Sequence, residues 1–183
     1  MRAVMGTAPG VDAEQVRAAA TPPRVAAAWR ALEKVEDPEI PAVTLVDLGL
    51  VRSVKVEADG VLRVRLSPTY VGCPATEVIR ALAENALRDA PVGAFEVLHV
   101  LSPAWTSDWI TAEGRRRLAA NGIVPPDRPA SSLRDVVRSS RPIACPRCGS
   151  AHTETVSEFG STPCKALHRC RACLEPFEYF KCI

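Results

Sequence analysis

The chain has 183 residues, 47% hydrophobic and 24% charged, with a formal net charge of +2 at pH 7. Those proportions belong to a soluble globular protein of one ordinary domain plus an appendage, and the charge is too slight to argue for nucleic acid or an anionic membrane as partner. No run of about eighteen apolar residues exists to span a membrane, and Met1–Thr21 is too broken by Gly6, Pro9, Gly10, Asp12 and Glu14 for a signal peptide.

Residues 1–22 read as a flexible leader ending in Pro22-Pro23, where tandem prolines stop one helix and allow the next to start. Val25, Ala28, Trp29, Leu32 and Val35 stand at helical spacing, and Asp37-Pro38-Glu39-Ile40-Pro41 ends that helix. Val51, Val54 and Val56 give an imperfect strand pattern. Val61, Leu62, Val64 and Leu66 mark a second strand, joined to the first through Ala58-Asp59-Gly60, a favoured hairpin turn. Pro74–Asp89 reads as a helix with Val78, Ile79, Leu82, Ala86 and Leu87 on its apolar face, and Phe95–Leu101 as a third strand. Thr106 or Ser107 is expected to cap a helix running to about Ala120, stopped by Asn121-Gly122. The resulting order predicts a small α/β domain over residues 23–122. Residues 123–141, with Pro125, Pro126 and Pro129, read as a proline-rich linker.

Residues 142–183 carry Cys145-Pro146-Arg147-Cys148 and, after 21 intervening residues, Cys170-Arg171-Ala172-Cys173. Two such thiol pairs have the spacing of a four-cysteine zinc ribbon, a β module, so the chain as a whole falls in the α+β class. About forty residues bury too little to fold unaided, so zinc is expected to supply about 10–16 kcal/mol of folding energy. Four thiolates leave no open position for catalysis, which makes the zinc structural. Seven cysteines, with four in metal-binding pairs, do not read as a secreted disulfide framework, and the cytoplasm is the expected compartment.

Cys73 follows a glycine turn and precedes Pro74, which places it at the expected N-cap of a helix. A thiol there tends towards a lowered pKa and greater metal affinity; the competing reading is a half-buried cysteine fitted to a crowded turn. A nucleophilic enzyme would also need a base. His99 is the single histidine outside the ribbon, and it alternates with Val97 in a strand as a framework residue. Trp105 and Trp109 suit either a strand-to-helix corner or a docking surface, and Arg115-Arg116-Arg117 reads as a solvated face.

Asp37-Pro38-Glu39-Ile40-Pro41, Val46-Asp47-Leu48-Gly49-Leu50-Val51 and Pro68-Thr69-Tyr70-Val71-Gly72-Cys73-Pro74 together resemble the metal–sulfur cluster assembly family of small α/β domains, which includes SufT-like proteins. Phe159-Gly160-Ser161-Thr162-Pro163-Cys164-Lys165-Ala166-Leu167 and the segment from Cys170 to Ile183 extend the likeness. With them, residues 24–183 are similar to the D-subunit family of the bacterial phenylacetyl-CoA epoxidase (phenylacetate-CoA oxygenase) system. The resemblance implies an accessory subunit that is not itself an enzyme and that assists maturation of an iron–sulfur cluster in a partner. The implied partners are the other epoxidase subunits, above all the iron–sulfur reductase. Beside zinc, the implied cargo is transient iron or an iron–sulfur cluster. Cys73, with Asp47 and Thr69, is the implied metal or cluster contact; Asp37, Glu39 and Asp47 fall in the family's acidic motifs and Thr69 precedes the cysteine loop, and for these four the competing reading is a helix cap or turn.

Cys164 and Cys182 are left over once the zinc tetrahedron is complete; buried filler, a second thiol pair and a resting place for a transferred metal all stay open. One cysteine is a poor home for a cluster, so a homodimer is a further expectation. The alternatives are a zinc-ribbon scaffold or nucleic-acid-binding module with no metal-transfer role, and a thiol enzyme using Cys73.

Overall fold

The computed structural model describes residues 22–126 and 143–181. Nearly all of the expected leader, residues 127–141 of the expected linker, and Cys182 lie outside the described residues. The first helix, α1 (Pro23–Leu32), starts with proline at its first position and buries Val25, Ala28, Trp29 and Leu32. Strands β1 (Val51–Val56) and β2 (Leu62–Leu66) form an antiparallel hairpin. Its turn is closed by Asp59, whose side chain accepts from the Val61 N–H, with Gly60 at φ +78°. The imperfect valine pattern of β1 has a physical cause. The register shifts between Val51 and Ser53, and this bulge turns Val51 and Val54, three residues apart, to the same buried side.

Helix α2 (Thr76–Arg88) crosses from β2 to β3 (Phe95–His99), which pairs parallel with β2. Ile79, Ala83 and Leu87 form its buried stripe, whereas Val78, expected on that face, is exposed. The expected helix from Thr106 is interrupted. Thr106 caps only a 3₁₀ turn (Ser107–Trp109), the chain extends through buried Ile110, and Thr111 then caps α3 (Ala112–Ala120) by accepting from Gly114 N–H at 2.9 Å. The reason for the restart is a tertiary bond: the Thr111 N–H donates to the Asp47 carbonyl at 2.9 Å, which ties this corner to the loop before β1.

The expected linker begins with a strand. Ile123–Val124 (β4) pairs parallel with β7 (Pro176–Phe180), at one side of a sheet ordered β4-β7-β6-β5, where β5 is Thr153–Ser157 and β6 is Lys165–Cys170. The ribbon sheet thus takes a strand from just beyond α3. It also shares the main apolar core: Phe180 and Cys164 belong to the same buried cluster as Leu32, Leu48, Leu66 and Ile79. Trp105 lies at this joint, its ring 6.0 Å from Phe180 and its indole N–H donating to the Leu48 carbonyl at 2.9 Å. Trp105 is therefore a core residue at the strand-to-helix corner, while Trp109 carries the Arg52 guanidinium 3.2 Å from its ring centroid.

Candidate functional site

Two thiol sites emerge. The first brings Cys145, Cys148, Cys170 and Cys173 together, with all four sulfurs within 4.8 Å of one another. Cys145 Sγ lies 3.7 Å from Cys173 Sγ, and Cys148 Sγ lies 3.6 Å from Cys170 Sγ. A tetrahedron with Zn–S bonds of about 2.3 Å has edges of about 3.8 Å, so the donor set fits zinc in kind, number and spacing. Backbone N–H groups are aimed at the sulfurs; that of Cys173 is the foremost reason the Cys170 thiol is lowered, while crowding by the other three thiols pushes the Cys173 thiol up. Such donors stabilise thiolate, the form zinc binds. Cys145, Cys170 and Phe177 make a small apolar cluster of the ribbon's own beneath the centre.

The second site is a cavity of about 10 Å³ where the two modules meet, lined by Asp37, Glu39, Thr69, Cys73, Cys164 and Phe180 among others. Of the residues the sequence singles out it collects Asp37, Glu39, Thr69, Cys73 and Cys164. The loop carrying the acidic residues is fixed by Asp37, whose Oδ1 accepts from the N–H groups of Glu39 and Ile40, both at 2.9 Å. Burial raises the pKa of Asp37 against the pull of those two bonds; burial and then the Asp37 charge raise that of Glu39.

Cys73 departs from its expected role at the helix terminus. Helix α2 begins at Thr76, with Ala75 at the cap, because Pro74-Ala75 form a turn first. The Cys73 carbonyl accepts from Thr76 N–H at 3.2 Å and from its hydroxyl at 2.7 Å. Burial pushes the Cys73 thiol up, and the Ala75 N–H only partly offsets it. The expected lowering is therefore reversed: the desolvation of a buried thiolate outweighs the dipoles near the helix start. Cys164 behaves alike, raised chiefly by burial, with Thr162 Oγ1 3.1 Å from its sulfur. Tyr70, which sequence reasoning passed over, sits beside the pair. Its hydroxyl is closed to solvent, and its pKa is pushed up to about 12 by burial first and then by the neighbouring Cys73 thiol and the Glu39 carboxylate.

Asp47 is placed elsewhere. It does not line the cavity; Oδ2 accepts from Thr44 N–H and pairs with Arg117 Nη1, both at 3.0 Å, and Oδ1 faces the Thr111 hydroxyl at 3.4 Å. Its carboxylate is spent on joining the loop before β1 to α3. The arginine run is correspondingly more than a solvated face, since Arg115 also donates to the Ser107 carbonyl at 2.8 Å. His99 is half-buried, and both its ring nitrogens are shut away from solvent without a hydrogen-bond partner. Burial lowers its pKa, and it does not line the cavity.

Residues 26–97 match the family model described as "Iron-sulfur cluster assembly protein", and residues 129–181 match the "PaaD zinc beta ribbon domain". Over 164 residues the chain is 46% identical to a protein of Escherichia coli K12 named as the D-subunit of a "Putative 1,2-phenylacetyl-CoA epoxidase", covering 88% of this chain and 95% of that one. It is 42% identical over 79 residues to the Fe-S protein maturation auxiliary factor YitW of Bacillus subtilis 168, covering 43% of this chain and 76% of that protein. Against the auxiliary factor SufT of Staphylococcus aureus USA300 the identity is 37% over 78 residues, 42% of this chain and 88% of that protein. Among solved structures, the DUF59 domain from Bacillus anthracis is 28% identical, covers 52% of this chain and 91% of its own, and superposes with a TM-score of 0.48. An iron–sulfur assembly domain and a zinc ribbon, joined in one chain over nearly the whole length of such a relative, make this protein a member of the D-subunit family of phenylacetyl-CoA epoxidases.

Proposed function

We propose that the chain is an accessory subunit, not itself an enzyme, that assists iron–sulfur cluster or metal maturation in a partner subunit of phenylacetyl-CoA epoxidase, its iron–sulfur reductase. The observation that carries this reading is the Cys73 pocket: a thiol that shares a small cavity with Glu39, Asp37 and Thr69, in a domain that matches the iron–sulfur assembly family. Desolvation keeps this thiol protonated and makes it a slow nucleophile. A bound cation reverses that balance, because a coordinating thiol loses its proton outright. The pocket is therefore suited to receiving a thiophilic cargo rather than to covalent catalysis, and nearby Glu39 adds negative charge that attracts a cation.

The competing nucleic-acid reading finds little support in the ribbon's charges. Arg169 and Arg171 both clamp Glu154, Arg147 pairs with Glu175, and Lys165 pairs with Glu178 at 2.8 Å. These cations are directed at carboxylates instead of forming a free phosphate-binding face.

The test is cluster gain by the apo-reductase. Without oxygen, the protein is mixed with apo-reductase, ferrous iron and sulfide, and cluster absorbance in the reductase is followed against time. The native chain is expected to speed cluster gain over free iron and sulfide, and Cys73→Ala to remove that gain. Equal rates for the two proteins would sink the proposal.

A further inference from the structure

Cys164 is the one residue of the Cys73 pocket that comes from the zinc ribbon and also bears a metal-ligating group. It is 3% exposed, Cys73 is 8% exposed, and neither is in a disulfide. Both line the same small cavity. The Glu39 carboxylate raises the pKa of each thiol, and the two thiols in turn both act on the Tyr70 hydroxyl. Buried filler would need no carboxylate beside it. Two buried thiols and a half-buried carboxylate lining one small cavity are the donor types that a thiophilic metal ion takes.

We infer that Cys164, delivered by the zinc ribbon, is the second thiol of the Cys73 pocket, and that the pair holds one thiophilic divalent metal ion with Glu39 as third donor. The inference rests on reading that pocket as a metal-handling site. Binding releases both S–H protons to solvent, so the ion meets two thiolates and one carboxylate. Lys165 stands next to Cys164 with its ammonium buried against Glu178, and its positive field favours the anionic form of Cys164 and Glu39. The cavity of about 10 Å³ has room for about one water-sized sphere, which suits a single ion and not a multi-iron cluster. Among the described residues no other set of three such ligands is gathered as the four zinc cysteines are. Closing the three donors on an ion therefore takes side-chain rotation, which also gives the ion a way out. A thiol pair split between two modules is open to exchange in a manner a closed four-cysteine centre is not.

The probe is Co²⁺ alone. Full-length protein with zinc in its ribbon is titrated without oxygen, while zinc release is monitored so that cobalt entering the ribbon is recognised. One Co²⁺ per chain is expected, with thiolate-to-cobalt charge-transfer absorbance. Cys73→Ser and Cys164→Ser should each lower that absorbance by about half and weaken binding more than tenfold, given that even an outer-shell partner is worth about 10–100-fold. Glu39→Gln should weaken binding and leave the charge-transfer intensity in place. Native binding and absorbance in Cys164→Ser, or no cobalt bound by the native chain beyond the ribbon, overturns the inference.

If Cys164→Ser loses zinc or unfolds, the native chain is alkylated with and without Co²⁺ and read by mass spectrometry. Protection of both thiols supports the pair; protection of Cys73 alone refutes it. The two readings fail separately. Cobalt held by both thiols, with cluster gain by the reductase unaffected in Cys73→Ala, removes the maturation role and leaves the site. Native cobalt binding in Cys164→Ser, with cluster gain lost in Cys73→Ala, does the reverse.

Discussion

Phe180 is the residue whose removal should separate the two modules most cleanly. Its side chain is fully buried, packs against Trp105 and lies in the core that contains Cys73 and Cys164, while the ribbon's own small cluster is built on Phe177. A buried phenylalanine removes about 200 Å² from water, worth about 5 kcal/mol at ~25 cal/mol/Å², and measured Phe→Ala changes in cores run about 3–5 kcal/mol. Because the zinc ligands lie outside that core, Phe180→Ala should keep its zinc and lose docking free energy. With each 1.4 kcal/mol worth about tenfold, an opening that exposes Cys164 becomes roughly two to three and a half powers of ten more populated, up to full opening. The assay is alkylation of Cys164 under native conditions, with zinc content measured on the same sample. Labelling within about threefold of the native rate, with zinc intact, would refute the view that Phe180 clamps the ribbon to the assembly domain.

Glu178→Gln strands the Lys165 ammonium, which is 4% exposed, and should cost about 3 kcal/mol in urea denaturation at neutral pH. Burial pushes the pKa of Glu178 up, but Lys165 and the Ser161 N–H more than offset it, so its folded value lies below the ordinary 4.5. The stability it confers is therefore complete above 4.5 and lost as pH falls through the folded value; a difference between native and variant that stays constant well into the acid range would contradict this. Gly49→Ala faces φ +67° and a Cβ driven into the Trp109 carbonyl oxygen, backbone that cannot swing aside. It should cost at least about 2 kcal/mol by the same denaturation, from the left-handed conformation and overpacking together. Cys148→Ser should drop zinc far below one per chain and abolish amide protection in β5 and β6, while α2 and β3 keep theirs in hydrogen exchange.

Much of this was legible in the sequence where the signal is local. Asp59-Gly60 specifies a hairpin turn by itself, and the CxxC pairs specify a metal centre because two thiols on a tight turn have few other uses. The misreadings share a physical origin in tertiary contacts. Thr106 and Thr111 are both good caps, and what starts α3 at the second is a bond to the Asp47 carbonyl, 64 residues away in sequence. Strand β4 hides in a proline-rich stretch because two residues gain strand geometry only from their partner β7. The pKa of Cys73 was expected to fall from its place before a helix, yet burial decides it. Cys164 was an unassigned surplus thiol, since nothing local to Thr162-Pro163-Cys164-Lys165 says which core it enters. The available hint was a charged lysine directly after it in a strand that otherwise alternates towards the core.

Strand β6 accounts for why a zinc centre with no open position belongs in such a chain. Cys164 immediately precedes it, and its last residue, Cys170, is a zinc ligand. Six residues at about 3.3 Å each separate the two ends by about 20 Å. That is more than two Debye lengths at physiological salt, so the zinc neither shares ligands with the Cys73 pocket nor sets its potential through solvent. What it does set is position. The ribbon buries too little to hold its shape without metal, and β6 is the middle strand that carries the shape from the zinc to the pocket, paired on both sides by β5 and β7. Removing the zinc should therefore loosen Cys164 from its place in the Cys73 pocket. In zinc-depleted Cys148→Ser, Co²⁺ should then no longer protect Cys73 and Cys164 together from alkylation, whatever cobalt the three remaining ribbon thiols take up, and protection of both as in the native chain would show that docking at Phe180 alone is enough to place the second thiol.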